Sequence, residues 1–227
     1  MKIKVKDNEI VTPGELIAED VKDYHIKNNN GVYLKKDKIY SSVVGIFNEK
    51  SMKIVKLGGV YIPKRGDYVV GTIIDMNFSN WFVDILGPYD AGMHISDASM
   101  DYIDTKKNDM TYYYDFGDFV FAKITEVTDS KKISLTAKEK GLGKLTGGIV
   151  TRINPSKLPR LIGTNKSMIE MIQKQTNTTI KVGQNGLIWI KGDPVNVKKV
   201  KEVVSIINEE SHTKGLTKKI ESILNKR

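Results

Sequence analysis

The stretch Leu-Ile-Gly-Thr-Asn-Lys-Ser-Met-Ile, residues 161–169, decides the fold of the C-terminal part of this chain. A glycine between two helical segments allows the backbone to approach a ligand closely, and free N–H groups at the start of the second helix attract phosphate. Taken alone, the pattern favours an ordinary helix–helix turn in which Gly163 ends the first helix. The segments on either side change that interpretation.

Outward from this loop, the hydrophobic periodicity predicts a compact α+β unit. The predicted order is strand, helix, loop, helix, strand, strand, helix, followed by one more short helix. The strands are expected at 147–153, 178–182 and 187–191, and the helices at 155–162, 166–175, 193–210 and 217–225. Asp193 and Pro194 are typical of a helix start, with the acid as the N-cap and the proline at the first position.

This order with this loop resembles the KH domain, whose Gly-x-x-Gly loop clamps about four nucleotides of single-stranded nucleic acid. The resemblance implies a type I KH domain and an RNA-binding role for Arg160, Gly163, Thr164, Asn165 and Lys166. The fourth loop position holds Lys166 where the family has its second glycine. The lysine side chain could block the backbone approach, or it could contact a phosphate directly.

The preceding stretch, residues 66–140, predicts a small closed barrel. Its strands are expected at 68–74, 81–86, 92–95, 119–127 and 132–136. Five short strands with one long connection are typical of such a barrel. The connection, residues 96–115, is polar and aromatic.

Three segments of this barrel resemble the S1-type OB fold: Ser79–Asp84, Gly92–Ser96 and Lys132–Leu135. The resemblance implies that Phe82 and His94 stack on bases, and that Lys132 stands where the family often has an arginine. Ser79 occupies the position that usually carries a first aromatic residue. For the neighbouring Trp81, core packing and RNA contact are equally open.

The N-terminal stretch, residues 1–62, reads as short strands between turns. Turns are predicted at 12–14 and 28–31, and strands at 39–47 and 53–57. Residues 63–67 predict a tight linker, and the glycines between 141 and 148 predict a hinge. The expected fold is therefore multidomain and mainly β, with a C-terminal α+β domain: a small β module at 1–64, an S1-type barrel at 65–140 and a KH domain at 141–227.

Charge divides unevenly among these three modules. Residues 1–64 hold 12 basic and 8 acidic residues, residues 65–140 hold 8 and 13, and residues 141–227 hold 16 and 6. The net charges are therefore +4, −5 and +10, within a chain of +9. Since phosphate attraction dominates nucleic-acid affinity, the C-terminal module is expected to bind RNA most strongly.

Composition excludes several other classes of protein. The chain has no cysteine, which excludes disulfides and thiolate metal sites and favours a reducing cytoplasm. No stretch approaches the roughly 18 apolar residues of a membrane span. The histidines His25, His94 and His212 lack ligand-spaced partners, and no phosphate-loop motif occurs. No cofactor, metal or catalytic residue is expected.

One acidic run raises the alternative that the chain is a metal-dependent nuclease. Its carboxylates fall within 22 positions: Asp97, Asp101, Asp104, Asp109, Asp115 and Asp118. Such a cluster could bind Mg²⁺ for hydrolysis. A solvated loop is favoured, because metal nucleases hold their acids on rigid elements.

The chain as a whole resembles the RNA-binding cap subunits of the archaeal exosome. The likeness includes the segments 11–17, 61–67, 159–163, 167–169 and 182–186. It implies a non-catalytic homotrimeric cap that guides single-stranded RNA into a hexameric ring of RNase PH-like subunits, which degrades it by 3′-to-5′ phosphorolysis. The alternative is a free-standing RNA chaperone or translation-linked RNA-binding protein.

Overall fold

The computed structural model describes residues 2–21, 31–104, 107, 109–210 and 215–225. The chain divides into two compact units, residues 1–59 and 60–227. None of the helices in the described ranges has both the length and the apolar character that a membrane span requires.

The N-terminal unit is built from seven short described strands. They are β1 (Lys2–Ile3), β2 (Ile10–Val11), β3 (Leu16–Glu19), β4 (Val32–Lys35), β5 (Lys38–Ser41), β6 (Gly45–Asn48) and β7 (Lys53–Lys56). One sheet has the order β1-β3-β5-β4 and the other has the order β2-β6-β7. Their buried faces share a core centred on Ile17, Ile39 and Phe47.

Two predictions for this unit have clear outcomes. The turn at 12–14 is confirmed, since Pro13 and Gly14 lie in a turn between β2 and β3. The single strand predicted at 39–47 is wrong. Ser41 folds the chain back, because its Oγ donates to the Val43 carbonyl at 2.6 Å and accepts from the Val43 N–H at 3.2 Å. The predicted turn at 28–31 lies largely outside the described residues.

The barrel forms from β8 (Tyr68–Met76), β9 (Asn80–Asp84), β10 (Ala91–His94), β11 (Phe119–Val127) and β12 (Ile133–Thr136). Neighbouring strands follow the order β12-β10-β9-β8-β11, and β11 also pairs with β12, which closes the ring. A short helix, α1 (Met110–Tyr113), lies in the long connection. The predicted five-stranded barrel is confirmed.

A further strand lies where a hinge was expected. The segment β13 (Gly143–Leu145) pairs antiparallel with the start of β11, and Phe119 faces Leu145. The hinge interpretation is wrong because β11 has a free edge at its beginning, which the glycine-rich stretch extends. The chain therefore leaves the barrel as part of its sheet.

The C-terminal part is an α+β domain. Its elements are β14 (Ile149–Arg152), α2 (Leu158–Ile162), α3 (Ser167–Thr176), β15 (Thr179–Val182), β16 (Leu187–Lys191), α4 (Pro194–Glu210) and α5 (Leu216–Asn225). The antiparallel sheet has the order β14-β16-β15, and its core is shared with all four helices. Asp193 caps α4, because its Oδ1 accepts from the Val195 N–H at 3.0 Å. The predicted element order is confirmed.

The turn between β15 and β16 joins this domain to the barrel. The Gln184 N–H donates to the Tyr68 carbonyl at 2.8 Å, and the Tyr68 N–H donates to Gln184 Oε1 at 2.7 Å. The buried Asn185 amide donates to the carbonyls of Val70 at 2.6 Å and Ile85 at 2.8 Å. The sequence predicted only two successive strands here, at 178–182 and 187–191. The structure shows that this turn also extends the hydrogen bonding of β8.

Apolar packing reinforces the junction. Val70 of the barrel is fully buried against Leu187 and Trp189 of the C-terminal domain. The Trp189 ring N–H is satisfied by the Gly147 carbonyl at 2.7 Å. Barrel and C-terminal domain are therefore held by a small core of their own as well as by hydrogen bonds.

Candidate nucleic-acid interface

The loop between α2 and α3 begins with a residue that must be glycine. Gly163 has φ 74° and ψ 172°, a conformation that other residues rarely adopt. A Cβ at this position would lie 2.8 Å from both the N and the Cβ of Met168. Backbone conformation and space therefore both require glycine, and they bring the loop close against the start of α3.

The following residues continue in a left-handed conformation. Asn165 has φ 51° and Lys166 has φ 65°. Lys166 occupies the position of the family's second glycine, and it keeps a backbone conformation that glycine would favour. Its side chain is exposed. The loop therefore retains the turn of a Gly-x-x-Gly loop and adds a positive charge to it.

The structure groups part of the predicted loop site around one pocket. Arg160, Gly163 and Thr164 line a pocket of about 330 Å³, together with Ser167 at the start of α3. No side chain caps the first turn of α3, and the Ser167 N–H donates to the Thr164 carbonyl. Asn165 and Lys166 follow at the exposed tip of the loop.

A second group lies on the outer face of the barrel. Phe82 of β9 stands opposite Gly92 of β10, and His94 follows two residues along the same face. Phe82 is 36% exposed. Gly92 has no side chain, and a Cβ built there would meet only one atom, at 3.8 Å. The face therefore leaves open space beside the Phe82 ring, where a base can stack.

His94 is held in place by its neighbour Ser96. The Ser96 N–H donates to His94 Nδ1 at 3.2 Å, and the Ser96 hydroxyl lies 2.8 Å from the same atom. An acceptor role for Nδ1 assigns the proton of the neutral ring to Nε2. His94 can therefore offer a hydrogen-bond donor as well as a ring face.

Lys132 lies apart from these two residues. It is exposed just before β12, and the parallel register of β10 and β12 pairs Ala91 with Ile133. Lys132 is thus level with Asp90, four residues from His94. At about 3.3 Å per residue, that is roughly 13 Å along the strand. The three predicted barrel residues share a sheet face but do not form one compact site.

Trp81 belongs to the barrel core. It is fully buried, its ring N–H donates to the Tyr114 carbonyl at 3.0 Å, and the two rings meet edge-on at 5.2 Å. Burial raises the pKa of Tyr114 to about 12, and its hydroxyl donates to the Ala98 carbonyl at 2.7 Å. Of the two roles left open for Trp81, the structure supports core packing.

One exposed aromatic residue of the barrel was not identified from the sequence. Phe78 is 89% exposed in the turn between β8 and β9, one residue before Ser79. Asn77 Oδ1 accepts from the N–H groups of Ser79 and Asn80, at 3.0 and 2.8 Å, which forms that turn. The resemblance to the S1-type fold placed the first aromatic position at Ser79. The turn-forming asparagine directly before an aromatic residue was the signal that could have identified Phe78.

Two acids of the long connection have structural partners. Asp109 Oδ1 accepts from the Met110 N–H at 3.2 Å at the start of α1. Asp118 accepts from the Asp115 N–H at 2.6 Å and pairs with Lys144. Among the described residues, no group of three potential metal ligands comes together. His25 and His212 lie outside the described residues.

Family models of known proteins match a part of each unit. A family model described as a KH domain matches residues 148–196, and one described as the N-terminal domain of the exosome RNA-binding protein Rrp4 matches residues 8–57. A solved structure assigned to an exosome complex RNA-binding protein shares 32% identity with this chain. Its TM-score is 0.66, and the match covers 73% of this chain and 95% of the solved one.

Full-length relatives agree with these models. The exosome complex component Rrp4 of Methanothermus fervidus is 42% identical over 222 residues, which cover 97% of this chain and 96% of the relative. That of Pyrococcus abyssi is 40% identical over 228 residues, covering 98% and 84%. The chain belongs to the Rrp4 family of exosome complex components.

Proposed function

We propose that this protein is the non-catalytic RNA-binding cap component of an archaeal exosome. It recruits single-stranded RNA and guides it into a hexameric phosphorolytic ring that degrades RNA from the 3′ end. The observation that carries this proposal is the likeness to Rrp4 over 97% of the chain. The Rrp4 N-terminal model and the KH model fall in the two different units of the chain.

RNA recruitment is assigned to the KH domain, residues 141–227 in the proposed division. Its loop combines a close-approach glycine, Gly163, with the exposed cations Arg160 and Lys166. Sixteen basic residues against six acidic ones attract a polyanion to this domain. Thr164 and Asn165 complete the proposed loop contacts.

Guidance of RNA is assigned to the barrel, residues 65–140. Phe82 and His94 offer stacking, and Lys132 offers one phosphate contact farther along the same face. The net charge of −5 in this segment weakens phosphate attraction. Weak holding suits the entrance of a channel, since RNA must leave it to reach the nuclease.

Docking on the ring is assigned to the N-terminal module, residues 1–64. Ile10 pairs with Ile46 across the sheet, and Ile46 pairs with Val55. Ile10 is 61% exposed and Val55 is 59% exposed, so an apolar row crosses the outer face of β2, β6 and β7. Such a row supports contact with another protein. Three copies on one hexameric ring, in the cytoplasm, complete the proposal.

The proposal is tested by reconstitution with an RNase PH-like hexamer from the same cells. The ring with the cap should degrade a structureless RNA faster than the ring alone at limiting RNA concentration, because the cap raises local RNA concentration. The cap alone should release no nucleotides in phosphate or Mg²⁺ buffer. Degradation by the isolated chain, or no association with the ring, would overturn the proposal.

A further inference from the structure

The loop pocket has a wall outside the matched KH region. Besides Arg160, Gly163 and Ser167, its lining includes Thr217 and Glu221. Both lie on α5, whereas the KH family model ends at residue 196. This helix adds side chains to the loop that a minimal KH domain does not have.

The position of α5 is fixed by apolar packing. Leu216, Ile220 and Leu224 are buried in the same core as α3 and α4. Glu221 follows Ile220 directly and is half-buried at the pocket. Its carboxylate is therefore presented by a rigid element and not by a loop.

The pocket is lined by two residues of opposite charge. Arg160 and Glu221 both line it, and no ion pair joins them in the structure. Met168 and Met171 supply an apolar surface in the same pocket. Its volume of about 330 Å³ is at the lower end of small-molecule sites, which suits a single nucleotide.

We propose that this pocket reads one base of the bound RNA, and that Glu221 selects guanine. A carboxylate only accepts hydrogen bonds. On its Watson–Crick edge, guanine presents two adjacent donors, N1–H and the N2 amino group. Adenine and cytosine each place a ring acceptor beside their amino group, and uracil flanks its single N3–H with carbonyls. Guanine is therefore the base that can bond to Glu221 in a bidentate way.

The other side chains have matching roles. Met171 contacts the face of the base, while Arg160 contacts the adjoining phosphate. Arg160 thereby contributes affinity without sequence preference, and Glu221 contributes the preference. This inference rests on the proposed RNA-binding function, because the base is brought to the pocket by the strand to which it belongs.

The test measures binding of the full chain to two fluorescent RNA 11-mers. One is all uridine and the other has a single central guanosine, which avoids four-stranded guanine structures. The wild type should bind the guanosine oligomer about 5–10-fold more tightly than the all-uridine oligomer. This ratio corresponds to the lower end of the discrimination energy that one bidentate base contact provides. Replacing guanosine by inosine removes the N2 amino group and should lose most of this preference.

The decisive variant is Glu221→Gln. It keeps the size of the side chain but replaces one acceptor oxygen with an amide donor, so the preference should fall below twofold. The matched control is Glu202→Gln, on α4 and outside this pocket, which should leave the preference unchanged. Arg160→Ala should weaken binding of both oligomers by the same factor.

The outcomes separate the inference from the proposed function. Equal binding of both oligomers by the wild type, or a preference that survives Glu221→Gln, overturns the base-reading pocket and leaves RNA binding intact. Absence of binding to either RNA overturns the proposed function itself. Free GMP competing as well as the guanosine oligomer would show a nucleotide site independent of RNA, and would also overturn the inference.

Discussion

The barrel and the KH domain present RNA with two different surfaces. The barrel segment, residues 65–140, carries a net charge of −5 and offers the ring of Phe82 on a regular strand. The KH segment, residues 141–227, carries +10 and offers a loop with consecutive left-handed residues, Asn165 and Lys166. The difference agrees with the proposed function, in which the KH domain gathers RNA and the barrel lets it move on.

Backbone conformation sharpens this contrast. The described barrel residues Phe82 and His94 lie in ordinary paired strands, so their replacement changes side-chain chemistry and little else. The KH loop depends on its backbone, because Gly163 admits no side chain and Lys166 adopts a conformation that favours glycine. Substitutions at Phe82 and His94 should therefore change RNA affinity with little effect on stability, whereas substitutions at Gly163 should lower both.

The largest effect is expected at the junction that holds the two domains together. Asn185→Asp removes an amide that donates to the Val70 and Ile85 carbonyls, and it places a carboxylate among them. Two buried carbonyls without donors should cost about 2–5 kcal/mol of unfolding free energy. Urea unfolding measures this, with the exposed Asn177→Asp as control. A loss below about 0.5 kcal/mol would show that the junction is not a stabilising contact.

The next contrast sets Gly163 against Phe82. Gly163→Ala forces a Cβ into contact with Met168 and should cost about 1–3 kcal/mol of stability, together with at least tenfold of RNA affinity. Phe82→Ala removes one stacking surface and should lower RNA affinity about fivefold. This factor corresponds to the lower end of the stacking energy per base. Filter binding of a short single-stranded RNA measures the affinity of each variant relative to the wild type. If Phe82→Ala weakens binding more than Gly163→Ala, the barrel is the principal RNA-binding domain.

Lys166 separates charge from backbone within the KH loop. Lys166→Glu should weaken RNA binding and lower the slope of log affinity against log salt by about one unit, because one phosphate contact is lost. Lys166→Gly removes the same charge but relieves the left-handed strain, which should raise stability by about 0.5–1 kcal/mol. Lys166→Ala is the matched control without that relief. An unchanged salt slope in Lys166→Glu would mean that the lysine does not touch RNA.

The smallest effect is a pH dependence within the barrel segment. The pKa of Glu139 is lowered from its ordinary 4.5, first by its hydrogen bond from Lys123 and then by the one from Tyr68. A carboxyl group whose pKa is lower in the folded state adds stability at pH values above its unfolded-state pKa. This added stability is lost as the pH falls below about 4.5. Glu139→Gln should therefore lessen the fall in melting temperature between pH 5 and pH 3, whereas Glu126→Gln should not. An equal fall in melting temperature in both variants would contradict a stabilising contact of Glu139 with Lys123 and Tyr68.

Local patterns were sufficient to predict most of the fold. The start of α4 at Asp193 and Pro194 follows from capping chemistry, and the helices around Gly163 follow from their apolar spacing. The position of Trp81 in the core was left open because alternation alone does not show which face of β9 is buried.

Features that depend on distant partners could not be predicted. The strand β13 forms because the start of β11 leaves an edge unpaired. Asn185 is a junction residue only because Val70, 115 positions earlier, presents its carbonyl there. The pocket wall at Glu221 depends on how α5 packs against α3, which helical periodicity alone does not specify. Pairings of this kind arise from tertiary structure and leave no local signal.

The most direct test of the cap function is the native mass of the complex that contains this chain. Purified gently from its own cells and measured by native mass spectrometry, the complex should have the mass of a hexameric RNase PH-like ring plus three copies of the chain. Ile10→Glu, in the exposed apolar row of the N-terminal module, should release the chain from the ring and leave RNA binding unchanged. A wild-type chain that is recovered only as a free monomer, or with no RNase PH-like subunit, would contradict the account.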